Sequence, residues 1–189
     1  MRSGASNRPV TTTAPDRVSI RPAERADLLA VLGIERAAFL QPWPYQAFAG
    51  FLGEPGFLVA VDELDRRSTD RTGNDVDASG DDSVVCGYVV ADVVTEFGRP
   101  VGHVKDIAVH PDWRGRGIGS RLLSRGLAVL SAGGARRAKL EVRAGNRAAQ
   151  ALYRSFGFEP NHVVSNYYDD GEDALLFVAD LDGREDDGR

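Results

Sequence analysis

The apolar positions of this chain change their spacing several times, and each change marks an element. Val18-Ser19-Ile20-Arg21 alternates apolar and polar residues and predicts an opening strand that stops at Pro22. Over 27–39, Leu28, Val31, Leu32 and Phe39 fall on one side of a helix. Gln41-Pro42-Trp43-Pro44-Tyr45 breaks that helix, and a shorter aromatic one follows over 45–52. The runs 56–61 and 84–94 read as two strands of a meander. A third strand spans 101–109. A helix then opens at Gly117, with Ile118, Leu122, Leu123, Leu127 and Leu130 at near-helical spacing. A short alternating strand at 138–142 precedes a helix over 147–156, with Asn146 as its N-cap and Gly157 as its stop. The stretches 159–166 and 174–181 close the chain as a hairpin. Strands in a meander, then strands and helices in turn, give an α/β (α+β) fold, a mixed sheet with helices on both faces.

Two stretches lack any apolar period. Residues 1–16 are rich in Ser, Thr, Asn and Pro and read as a disordered tail, as do the charged residues 183–189. Residues 62–83 are rich in Asp, Ser, Gly and Thr and read as a long, acidic, flexible hairpin insert, with a partner-binding arm as the alternative. The remaining span, 17–182, forms one domain.

Composition narrows the class. The 189 residues suit a single domain with a real core, and 42% hydrophobic residues is ordinary for a soluble protein. A net charge of −5 argues against nucleic acid as a partner. No apolar run is long enough for a membrane span, and the N-terminus has no apolar segment of a signal peptide, so a cytoplasmic location is expected. The single cysteine, Cys86, cannot form an intrachain disulfide or build a cysteine metal site, and it sits where a small buried hydrophobe belongs. His103, His110 and His162 are too scattered to suggest a metal, so none is expected.

The chemistry concentrates in 104–119, where an apolar strand meets a proline-stopped turn and then glycines that open a helix. Bare N–H groups at a helix N-terminus favour a phosphate or pyrophosphate. The nucleoside-triphosphate loop does not fit, since Gly117-Ile118-Gly119-Ser120 has no lysine, and the dinucleotide fingerprint requires a different glycine spacing. Arg114-x-x-Gly117-x-Gly119 instead resembles the pyrophosphate loop of the GNAT superfamily, the GCN5-related N-acetyltransferases. Leu140-Glu141-Val142-Arg143, Asn146, Leu152-Tyr153, Gly157-Phe158, Pro42-Trp43 and Asn166-Tyr167-Tyr168 bring the resemblance closer to the RimI/Ard1-like N-terminal acetyltransferases.

That resemblance implies a GNAT fold of about six to seven strands, with the fourth and fifth splayed apart over the co-substrate acetyl-CoA. It places Ile107, Ala108 and Val109 along the pantetheine arm, and Arg114, Gly115, Arg116, Gly117, Ile118, Gly119 and Ser120 around the pyrophosphate. Asn146 either contacts CoA or only caps its helix. Glu141 is implied as the base and Tyr153 as the acid, in a direct attack without a covalent intermediate. Taken by their residue types alone, a strand glutamate is also a solvated residue and Tyr153 is also a core aromatic. Trp43, Tyr167 and Tyr168 are implied to grip a peptide, or else they pack as core. Asp169, Asp170, Glu172 and Asp173 either charge the cleft mouth or form a solvated turn. The implied acceptor is the α-amine of a protein or peptide, a ribosomal protein among them, and the enzyme a monomer or weak homodimer. A small amine such as an aminoglycoside, polyamine or amino acid is the alternative acceptor, and a non-catalytic CoA-binding module the alternative class.

Overall fold

Strand alternation and helical spacing bury both faces of one sheet. The computed structural model describes residues 17–63 and 83–182, and the tails at 1–16 and 183–189 and nearly all of the 62–83 insert lie outside the described residues. The strands are β1 (Val18–Pro22), β2 (Phe57–Asp62), β3 (Val84–Glu96), β4 (Arg99–Val109), β5 (Arg137–Arg143), β6 (Glu159–Val164) and β7 (Ala174–Asp180). Between them lie the helices α1 (Leu28–Ala38), α2 (Tyr45–Gly50), α3 (Ile118–Ala132) and α4 (Arg147–Ser155). They build a seven-stranded sheet in the order β1-β2-β3-β4-β5-β7-β6. Element ends differ from the sequence expectation by one or two residues, as fraying ends do, and a separate 3-10 turn at Arg25–Asp27 precedes α1.

Each sheet face has its own core. The five apolar residues of α3 named above are all buried, and they pack with Leu58, Val89, Val104 and Leu140. On the other face, Leu28, Val31 and Leu32 of α1 pack with Phe48, Phe57, Tyr88 and Val90. Burying each large side chain contributes roughly 1.5–3 kcal/mol. Cys86 is fully buried, as its surroundings in the sequence suggest, and its Sγ donates to the Ala60 carbonyl at 3.3 Å.

Two irregularities in β4 prepare the site. Val90 pairs with Asp106 but Ala91 pairs with Val104, so Lys105 is the extra residue of a β-bulge. The bulge reverses which side each residue faces. Val104 joins the α3 core while Ala108 joins the α1 core, and Asp106 turns toward α1 with it. The second irregularity is a short seam. All neighbouring strands are antiparallel except β4 and β5, whose parallel pairing is confined to Gly102↔Ala138 and His103↔Lys139. Beyond it β4 stays with β3 as far as Val109, and β5 stays with β7 as far as Arg143. The two strands diverge, as the resemblance implies. Among the described residues, no helix is long and apolar enough to cross a membrane.

Candidate active site

The opening between β4 and β5 is entered from two sides. On the first side β4 runs into the turn that starts α3, where Gly115 and Gly117 adopt φ of 76° and 77°. A Cβ at either would meet no neighbouring atom, so the backbone conformation, and not space, calls for glycine. Gly117 caps α3 without a side chain, and the first turn closes from the Arg121 N–H to the Gly117 carbonyl at 3.1 Å. The amides of Ile118, Gly119 and Ser120 therefore have no partner within the helix. Arg114 Nε donates to the Val109 carbonyl at 3.1 Å, and the Arg116 guanidinium lies 4.6 Å over the Trp113 ring. A cleft of about 440 Å³ runs from this loop along Ile107, Ala108 and Val109 to Asn146 and Tyr153.

On the second side a cleft of about 540 Å³ reaches the same Ile107, Asn146 and Tyr153. Its walls bring together Glu141, Trp43, Tyr167 and Tyr168, which the sequence scatters over more than a hundred residues. Glu141 projects from β5 on the face opposite the buried Leu140 and Val142. Its Oε2 lies 2.7 Å from His103 Nε2 on β4. Burial alone would raise the Glu141 carboxyl, but the hydrogen bond and charge of His103, with the charge of Lys139, hold it below the ordinary glutamate range.

Tyr153 is both a core residue and a wall of the two clefts. Burial and the negative charge of Asp106 push its phenol up, so it stays protonated through neutral pH. Asn146 caps α4, its Oδ1 accepting from the Ala149 N–H at 3.1 Å, while bordering both clefts. The acidic turn is neither a free field nor merely solvated. Asp170 and Glu172 accept from Arg143 at 2.8 and 2.7 Å, and Glu172 also accepts from the Gly145 N–H at 2.8 Å. The Arg143 guanidinium in turn lies 3.9 Å over the Tyr168 ring. These contacts tie the Tyr167-Tyr168 segment to the end of β5.

Sequence reading missed four groups here: His103, Glu35, Tyr88 and Asp106. Glu35 of α1 is buried, and its Oε1 accepts from the Trp43 N–H at 2.7 Å. Its Oε2 contacts the hydroxyl of the fully buried Tyr88, which also lies 2.8 Å from Asp106 Oδ2. A phenol has one hydrogen, so both contacts are hydrogen bonds only when one of the two carboxyls carries a proton. Burial raises both carboxyls, and the neighbouring charge of Glu35 raises Asp106 further, far above the ordinary aspartate range. Glu35 and Asp106 border the same cleft as Glu141. Among the described residues no group of His, Cys, Asp and Glu is arranged to hold a metal ion.

Two clefts meeting inside one sheet, one ending in bare helix amides and the other in carboxylates, suit an enzyme that takes an activated donor and a nucleophile from opposite faces. Such a layout defines a group-transfer enzyme. The sequence profile of the acetyltransferase (GNAT) family matches residues 38–158, and the chain belongs to that family: it is an N-acetyltransferase. It is 30% identical over 162 residues to a putative ribosomal protein bS18-alanine N-acetyltransferase of Bacillus subtilis, covering 85% of this chain and 93% of that one. It is 32% identical over 171 residues to an N-alpha-acetyltransferase of Sulfurisphaera tokodaii, covering 86% and 92%. The crystal structure of the NatC complex bound to Gag peptide and CoA shares the fold, with a TM-score of 0.73 at 19% identity, over 87% of this chain and 99% of that one.

Proposed function

We propose that this enzyme transfers the acetyl group of acetyl-CoA to the α-amine at the N-terminus of a protein, with Glu141 as base and Tyr153 as acid. The observation that carries the reading is the meeting of the two clefts at Ile107, Asn146 and Tyr153. The donor's pyrophosphate lies on the amides of residues 118–120, within reach of Arg114, Gly115 and Arg116, and its pantetheine arm follows Ile107–Val109 into the opening. An amide of that strand faces the thioester oxygen and stabilises the charge that develops on it. The peptide enters from the other side between Trp43 and the Tyr167-Tyr168 pair, and its amine reaches Glu141. The Tyr153 phenol donates to the departing sulfur.

An α-amine suits this site. Its pKa of about 7.7–8.0 leaves part of it neutral at working pH, whereas a lysine side chain near 10.4 is a hundredfold or more less available. Relatives named for alanine of ribosomal protein bS18 and for N-alpha acetylation support a protein N-terminus, and make a ribosomal protein the first acceptor to try. A cytoplasmic enzyme acting as a monomer or weak homodimer is consistent with that substrate.

The test incubates the enzyme and acetyl-CoA with three acceptors: an alanine-terminated peptide, the same peptide blocked at its N-terminus but carrying lysine, and spermidine. Mass spectrometry should find acetate on the free N-terminus of the first. Glu141→Gln should lower kcat about 100-fold while acetyl-CoA affinity by calorimetry stays unchanged. Acetylation confined to spermidine or lysine would overturn the reading.

A further inference from the structure

Glu141 can hold only one of the two protons that an α-ammonium acceptor must lose. An α-ammonium carries three hydrogens and the acetylated nitrogen keeps one, so two protons leave nitrogen in each turnover. The cleft presents two separate carboxylate posts to receive them. Glu141 and His103 stand on the β5 side, while Asp106, Tyr88 and Glu35 stand on the α1 side. Resting on the N-terminal acetyltransferase reading above, we propose that Asp106 takes the first proton, from the ammonium, and leaves the second to Glu141.

Geometry supports the assignment at three points. The bulge at Lys105 turns Asp106 into the cleft beside Ile107, the residue at which the two clefts join. The Tyr88 hydroxyl, wedged between two carboxyl oxygens, has one hydrogen to give, so a proton taken up by Asp106 finds an acceptor in that hydroxyl while the phenol donates to Glu35. Asp106 is only partly buried where it borders the cleft, whereas Glu35 and Tyr88 behind it are almost fully buried. Glu35 from α1, Tyr88 from β3, Tyr153 from α4 and Glu141 from β5 are titratable groups that face or border it, and Lys105, Arg143, Tyr167, Tyr168 and Glu172 line the same cleft. Burial disfavours charge, so passing a proton from ammonium to carboxylate leaves two neutral groups where two opposite charges stood. Glu141, held low by His103 and Lys139, is the weaker acceptor for that first step.

The balance closes. Ammonium and the Asp106 carboxylate give amine and carboxyl, and the freed lone pair then attacks the thioester carbon. The C–N bond forms, the C–S bond breaks with its electron pair on sulfur, and Glu141 takes the second nitrogen proton. Tyr153 protonates the sulfur. Of the two protons carried off, one restores the phenol and the other leaves to water.

The test is the pH dependence of kcat/KM on an alanine-terminated peptide. Asp106→Asn should lose about tenfold or more near pH 7 and little near pH 9.5, where the α-amine has already shed its first proton. Glu141→Gln should be impaired at both. An Asp106→Asn loss of equal size at both pH values, or no loss at either, overturns the proposal. Tyr88→Phe gives a second arm should Asp106→Asn fail to fold. It should slow the α-amine peptide yet spare an aminooxy-terminated peptide, which is neutral at pH 7, and equal slowing of both would overturn the assignment. Wild-type enzyme that acetylates neither peptide at any pH refutes the N-terminal reading itself, and not the role of Asp106.

Discussion

Two carboxylates of one cleft are tuned in opposite directions. Burial raises both, but His103 and Lys139 outweigh it at Glu141, while the charge of Glu35 adds to it at Asp106. A carboxyl raised by folding stabilises the protein only while it is protonated. Stability from the Glu35–Asp106 pair is therefore full below the unfolded carboxylate pKa of about 4 and is lost as pH rises from there through the higher folded value, about 8 for Asp106. Asp106→Asn removes the Asp106 share of that loss. Its thermal midpoint should match wild type below about pH 4 and exceed it by a margin that grows up to about pH 8 and then levels off, each kcal/mol being about 2–4 °C in a chain of this size. Calorimetry across that range checks it, and a midpoint below wild type at high pH contradicts the strained pair. Glu141 was legible because it lies in a four-residue motif. Asp106 was not, because strict alternation places Val104, Asp106 and Ala108 on one face, and only the bulge separates them. Glu35 and Tyr88 lie 53 residues apart on different elements, so no local pattern announces their contact.

At the scale of elements, the seam between β4 and β5 depends on how closely α3 can approach it. Gly102 is one of the two β4 residues paired with β5, and a Cβ there would lie 2.7 Å from Leu130 Cδ1 and 3.0 Å from Leu130 Cβ on α3. Gly102→Val should push α3 outward and cost about 1–3 kcal/mol, measured by urea unfolding. An unchanged midpoint would show that the helix can yield. The helices and most strands could be read from apolar spacing alone, because their buried positions keep one period throughout. The seam could not. Where two parallel strands stop pairing is set by long-range packing of β4 on β3 and β5 on β7, and it reached the sequence reading only through the family resemblance.

For the molecule as a whole, Asp62 and Val84 are register partners in β2 and β3, so the chain leaves and re-enters the fold at one point. Both cores are built from described residues on either side of the insert. Deleting residues 66–81 should leave the thermal midpoint and peptide turnover near wild type. Inactivation would instead make the insert part of the working enzyme. Pairing of β7 between β5 and β6 escaped the sequence, since a closing hairpin can dock in either order.

The two-residue seam also has a mechanical consequence. It makes the sheet a pair of plates, β1–β4 and β5–β7, stitched at one corner and free along the rest of their facing margins. A donor seated between them, as proposed above, touches both, so its binding adds a second tie across those margins beside the α3 core that already spans them, and it should raise the thermal midpoint.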